Sequence, residues 1–192
     1  MKVRRGLAAV AGVSSAVAVG MAANSGTPAY AIAPPADGVY VFNGPGVPAT
    51  WTIGVICDQV NGSRYYKDYD NPEIMADFCF VNVVSQTAHA PVTNQDKVQN
   101  YTGRARLTGL QWTFQVRKDQ GVTCPNGGTA QSVETYAFDN ETLTGTHTIL
   151  HDAVCGLQPD MKKEPFSLQL VAPPPVPVER YPLRCNEIAI CF

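Results

Sequence analysis

The chain has almost none of the patterns by which enzymes can be read from sequence. It contains no G-x-S-x-G nucleophile elbow, no glycine-rich phosphate loop and no H-E-x-x-H pair, so the commonest hydrolase, nucleotide-binding and zinc-peptidase chemistries have no foothold. Histidine is scarce: His89, His147 and His151 are the whole supply, which leaves thin material for general acid–base work. No two cysteines stand in C-x-x-C spacing, which argues against a structural zinc site. Amphipathic helical periodicity is nearly missing and no internal repeat is found, which removes helical bundles and solenoids from consideration.

Acidic residues are absent from the first 31 positions. Lys2, Arg4 and Arg5 form a basic head, and Leu7 to Ala23 is an uncharged run of mostly small residues. Ala29-Tyr30-Ala31 then offers a small-x-small cleavage site. This predicts a signal peptide over 1–31, cut after Ala31. The run is too short and too poor in Leu and Ile for a membrane anchor. Arg4-Arg5 lacks the rest of a twin-arginine motif, and no cysteine follows the cut to take a lipid. The expectation is export by the general secretory route, to the outside of the cell or its envelope, with no stable membrane insertion.

Removing 31 of 192 residues leaves 161, enough for one domain with a real core. The leader takes three of the 14 basic residues and none of the 16 acidic ones, so the remainder carries a formal charge of −5. A mildly acidic surface argues against nucleic acid as a partner.

What is present is cysteine in even number and strand pattern. Six cysteines behind an export signal are expected to form disulfides. Of the 15 pairings open to six cysteines, the sequential one is expected: Cys57–Cys79, Cys124–Cys155 and Cys185–Cys191. The clearest strand is Leu110 to Arg117, with Leu110, Trp112, Phe114 and Val116 on one face and Gln111, Thr113, Gln115 and Arg117 on the other. Further strands are expected at 38–42, 50–57, 78–85, 103–107, 133–138, 143–150 and 165–171, with Phe166, Leu168 and Leu170 inward. The run 78–85 is apolar on both faces, as for a strand covered on two sides. Met161 to Glu164 reads as a charged turn. About eight hairpin-linked strands predict an all-β fold: a small antiparallel β-barrel braced by disulfides, with a β-sandwich as the alternative. The domain is expected over 32–172. Residues 173–192 form a proline-rich tail, extended because proline cannot join a ladder, that ends in a small disulfide loop.

Several of these features together resemble a group of small secreted proteins of mycobacteria and other actinobacteria, most of unknown function. The features are Trp51-Thr52, Trp112 on a central strand, the turn Cys124-Pro125-Asn126-Gly127, Tyr136-Ala137-Phe138-Asp139 with Thr142-Leu143-Thr144-Gly145-Thr146, and Cys155-Gly156. Similar modules resemble the outward-facing domains of some membrane-bound kinases. The likeness covers 38–171 and rests on structural motifs, so it implies location and fold more than activity. The long first cysteine loop and the tail depart from it.

Candidate sites are few. Tyr65, Tyr66 and Tyr69 in the 58–77 loop offer broad contact area, and Trp51 and Trp112 would line a hollow barrel if one exists. Asp68, Asp70, Asn71 and Glu73 supply oxygens of the kind calcium takes, without the full loop pattern. His147 and His151 share a strand face, but four strand residues span about 13 Å, too far for joint ligation. Glu134 with Asp139 or Glu141 is a conceivable carboxylate pair. No metal and no cofactor is expected. The expected function is that of an exported, non-catalytic domain binding a small apolar ligand or an envelope or extracellular protein. The alternatives are a hydrolase using His147, His151 and Glu134, and a structural component of the envelope. A hollow interior would favour ligand binding, a filled one protein contact, and a His–carboxylate cluster in a cleft an enzyme.

Overall fold

A computed structural model describes residues 34–46, 48–57, 78–87 and 100–180. Its strands are β1 (Gly38–Asn43), β2 (Ala49–Cys57), β3 (Cys79–Thr87), β4 (Tyr101–Thr108), β5 (Gln111–Thr123), β6 (Thr129–Phe138), β7 (Thr144–His151) and β8 (Asp160–Ala172). Each pairs antiparallel with the next in sequence, and β8 returns to β1 to close a barrel. Closure gives every strand a neighbour on both sides, and the sandwich alternative is set aside.

The alternation seen in the sequence decides which side chains enter. β2 turns Ala49, Trp51, Ile53, Val55 and Cys57 inward, all buried, with half-buried residues between them. Trp112 and Phe114 on β5, Tyr136 and Phe138 on β6, and Phe166 and Leu168 on β8 meet them in one cluster. Trp51 sits at its centre, with ring centroids 5.0 Å from Phe42, 5.5 Å from Tyr136 and 5.6 Å from Phe114. The barrel is therefore filled by aromatic rings at this level.

Both testable cysteine pairs form. Cys57 and Cys79 face each other directly in the β2–β3 register. Cys124, at the end of β5, is bridged to Cys155 beyond β7. The pair Cys185–Cys191 lies outside the described residues. Replacing Cys57 and Cys79 together by Ala is expected to lower the unfolding free energy by about 3 kcal/mol, mainly by freeing a loop of the unfolded chain. Urea denaturation checks this; an unchanged midpoint would contradict it.

Three local expectations are corrected. Leu110 does not belong to the inward face of the strand it precedes. With φ of 57° and 69°, Gly109 and Leu110 form the turn between β4 and β5, and Leu110 is more than half exposed. Two left-handed residues match a type I′ hairpin, whose twist suits the strands it joins. A left-handed Leu is strained, so Leu110→Gly is expected to raise stability by about 1 kcal/mol, read from the thermal midpoint. Met161 to Glu164 is not a turn: all four residues pair with β7, Met161 with Leu150 through to Glu164 with His147. Leu170 is 47% exposed rather than inward, beside a bulge where the β1–β8 register shifts.

On 78–85, the expected cover of both faces holds at one outward position. Phe80 is buried outside the barrel, with the guanidinium carbons of Arg104 and Arg106 at 4.1 and 5.1 Å from its ring centre. The first part of the proline-rich tail docks. Arg180 pairs with Asp37 at 3.3 Å and its carbonyl accepts from the Cys57 amide, while Val178 packs over Gly54. Asp37 also accepts from the Val55 amide.

Candidate binding site

The barrel interior changes character along its length. Past the aromatic cluster, the inward positions of β5 and β6 continue as Lys118, Ser132 and Glu134, and β7 contributes His147. All four are buried. The same period of two that buries Phe114 and Tyr136 buries these polar groups, since a strand cannot choose a face residue by residue.

They are held by one another. Glu134 Oε2 accepts from Lys118 Nζ at 2.7 Å, His147 Nε2 at 2.6 Å and the Tyr136 hydroxyl at 3.0 Å. Its Oε1 accepts from Ser132 Oγ at 3.2 Å. Lys118 Nζ also donates to the Tyr136 hydroxyl and lies 4.5 Å from the Tyr101 ring centre. A carboxylate at 2.6 Å requires the imidazole to carry its proton on Nε2. The His147 ring stacks on Tyr136 at 4.3 Å, nearly parallel, and its Nδ1 has no partner among the described residues. The Tyr101 hydroxyl accepts from Trp51 Nε1 at 3.1 Å and ties this layer to the aromatic one.

Ionisation follows from this packing. Burial works to raise the Glu134 carboxyl, but the bond from His147 and the charge and bond of Lys118 outweigh it and hold the group down at about 2. Burial lowers Lys118, with Glu134 opposing. Burial raises Tyr101 and Tyr136. Because the folded Glu134 sits below its ordinary value of 4.5, it contributes stability that is complete above pH 4.5 and is lost as pH falls toward 2. The lost amount is about 3 kcal/mol, from the size of the shift. Urea midpoints taken from pH 6 to pH 2 check this. A Glu134→Gln protein, lacking the group, should show a shallower acid limb.

β5 makes two adjustments near this cluster. Its pairing with β6 slips between Lys118 and Val122. Within that bulge Gly121 lies against Ser132, where any Cβ would collide with the Ser132 side chain. On its other side β5 is joined to β4 by three register pairs only, Arg106↔Thr113, Leu107↔Trp112 and Thr108↔Gln111, against nine to β6. β4 continues back to Tyr101 and β5 forward to Thr123 with no further pairing between them. Where they part, the Phe114 ring fills the place a side chain at Gly103 would need. Beyond it opens a cleft of about 280 Å³ lined by Asn100, Tyr101, Val116, Arg117, Lys118, Asp119 and Gln120. A smaller hollow of about 100 Å³ lies on the opposite side of β6, between Gln131 to Val133 and Leu150 to Val154.

The site residues expected from sequence fall as follows. Trp51 and Trp112 have no exposed surface and belong to the filled core; neither lines either cleft. Tyr65, Tyr66 and Tyr69, and the oxygen cluster Asp68, Asp70, Asn71 and Glu73, lie outside the described residues, as does His89. Glu134 and His147 do meet. His151 does not join them: its Nδ1 is bonded to the Asp152 carbonyl. Asp139 and Glu141 stay in the β6–β7 turn, where Asp139 accepts from the amides of Glu141 and Thr142. No group of three metal-ligating side chains is found among the described residues. Lys118 was missed. The signal for it was a cation on the inward phase of an otherwise apolar strand, two residues past Val116.

The described structure defines a class: a closed eight-strand antiparallel barrel with a filled interior, an ionic layer beneath one end and a cleft beside its shortest ladder. No family model, curated protein or solved structure matches the chain.

Proposed function

We propose that this is an exported, non-catalytic binding domain that holds its partner outside the barrel, at the cleft between β4 and β5. The observation that carries the reading is the contrast between interior and seam. The interior has no room at Trp51, whereas the cleft is open at the point where two strand edges lose each other. A filled core favours surface contact over enclosure of a small apolar ligand. Export is supported by the leader-like first 31 residues and by the two disulfides, which persist in oxidising compartments.

The hydrolase reading has less support. Glu134 and His147 converge, but both carboxylate oxygens are engaged, both residues are buried, and neither lines the cleft. A general base must reach a substrate proton. Lys118, the one network member shared with the cleft together with its neighbour Tyr101, fixes the cleft floor instead.

The test is site-specific photocrosslinking in the secreting cells, with benzoylphenylalanine at Gln120 or, as control, at Thr146 on the far wall. Adducts from position 120 and not from 146 are expected. Equal yields, or none from 120, would remove the reading.

A further inference from the structure

We infer that the surface run from Leu170 to Val178 is a second contact site, separate from the cleft: a fixed apolar ridge that enters an aromatic-walled pocket of a partner protein, with Val176 as its leading side chain. The run leaves the end of β8 and reaches β2 at Gly54. β8, β1 and β2 lie across the barrel from β4 and β5, which hold the cleft.

The first ground is exposed apolar surface. No side chain from Leu170 to Val178 carries a polar atom. Seven of these nine residues are exposed, and the other two, Pro174 and Val178, are half-buried. Val176 is 72% exposed, Val171 54% and Leu170 47%. A single exposed Leu or Val needs no explanation, but a continuous apolar stretch on the surface of a domain marks a place where another molecule sits.

The second ground is order. At one end Ala172 is in the ladder opposite Val39. At the other, Val178 packs over Gly54, the Cys57 amide donates to the Arg180 carbonyl at 2.7 Å, and the Arg180 guanidinium pairs with Asp37 at 3.3 Å. Between these anchors, four of the five residues 173–177 are prolines, each with its φ fixed by the ring. The ridge therefore has its shape before anything binds, and association does not have to order it. The chain bends at Pro175 and Val176, so it offers Val176 as a point between two rigid flanks.

The third ground is the chemistry that the ridge can offer an occupant. Prolines 173, 174, 175 and 177 have no backbone N–H, so neither a strand of another protein nor one of a second copy can pair with this run in a ladder. What remains is recognition by side chains. Proline-rich segments are read in this way by grooves lined with aromatic rings, against which the pyrrolidine rings pack. A lipid surface is the poorer match. Segments that lie in a membrane interface bring aromatic or basic residues to it, whereas 169–179 contain neither, and the run is flanked by the exposed Gln169 and Glu179.

The test places benzoylphenylalanine at Glu179, beside the ridge, in the full chain in the secreting cells, with Thr146 again as the control position. A protease-sensitive adduct of one mass is expected from 179 and not from 146. Val176→Asp should lower its yield about tenfold, as for loss of a central anchor, while Val176→Ile should keep it. Added purified parent chain should compete the adduct away, and added Val176→Asp chain should not. Val176→Asp is expected to leave the urea midpoint unchanged; if it does not, Val176→Ser replaces it. Crosslinks from Gln120 should persist in the Val176 variants, which separates this site from the cleft. No adduct from 179, or one that Val176→Asp leaves intact, would overturn the ridge as a contact site. Cosedimentation of the purified chain with vesicles of phosphatidylcholine and phosphatidylglycerol, lost in Val176→Asp, would overturn a protein as its occupant. A dimer in sedimentation velocity, lost in the same variant, would overturn a separate partner in favour of a second copy.

Discussion

Replacing Glu134 by Ala is expected to lower the unfolding free energy by about 3–5 kcal/mol, the usual consequence of leaving one member of a buried ion pair without its partner. Lys118 would remain buried with its charge unmatched, and the imidazole Nε2, the Tyr136 hydroxyl and Ser132 would each lose an acceptor. The loss belongs to the orphaned groups and not to the attraction itself. Changing both partners, Lys118→Met with Glu134→Leu, removes the unmatched charge and should recover part of the deficit, while His147, Tyr136 and Ser132 still lack their acceptor. Urea denaturation of Lys118→Met, Glu134→Leu and the double variant forms a cycle that isolates the pair. If Glu134→Ala cost less than 1 kcal/mol, or if the double variant were as unstable as the single ones added together, the ionic layer would not be the coupled unit its geometry describes. The double variant also separates two roles. It removes the ionic lock on the cleft floor and the unmatched charge together, so a loss of crosslinking from position 120 in it would show that the lock, and not the fold alone, shapes the cleft.

The second large effect is expected at Trp51. Its ring is in contact range of Phe42, Tyr101, Phe114, Tyr136, Phe138 and Phe166, and it has no exposed surface. Trp51→Ala should cost about 3–5 kcal/mol, since the surrounding strands are tied into a closed ladder and cannot collapse into the space. It also removes the donor to the Tyr101 hydroxyl, which anchors the cleft wall. Trp51→Phe keeps most of the ring contacts but not that bond, so a smaller loss is expected. A comparison of the two by denaturation, with near-ultraviolet circular dichroism to follow the ring cluster, tests whether Trp51 acts as the packing centre. Near-equal stability of the Ala variant and the parent would contradict a filled interior and reopen the enclosure of a ligand.

These two residues mark how far the sequence could be read. Trp51 was legible: alternation over 50–57 placed it on an inward face beside Ile53 and Val55, and the structure packs it there. What the pattern did not tell was whether inward meant around a cavity or through one. That depends on whether rings from β1, β2, β5, β6 and β8 meet across the barrel axis, a distance no single strand encodes. Glu134 and His147 were both named as candidates, but joined to the wrong companions. His151 shares a strand face with His147 and lies too far along it. Asp139 and Glu141 are near Glu134 in sequence but sit in a turn. The true partner, Lys118, lies on the neighbouring strand at the position diagonal to Glu134, which only the β5–β6 register brings together.

The same division applies to the ends of strands. Leu110 continues the apolar alternation of 112, 114 and 116 and was read with them, but hairpin twist needs two left-handed residues there and the turn takes it. Met161 to Glu164 has the charge of a loop yet pairs residue by residue with β7, because closing the barrel rewards a ladder regardless of side-chain polarity on the outer face. Local pattern, then, settled the class, the number of strands, their inward faces except at Leu110 and Leu170, and two cysteine pairs, since each depends on residues near in sequence or on a period of two. Tertiary structure alone decided that the interior is filled, that Lys118, Glu134 and His147 form one buried network, and that the ladder between β4 and β5 stops after three pairs. Each of these is a relation between strands, fixed by closure and register, and a chain read one residue at a time carries no record of it.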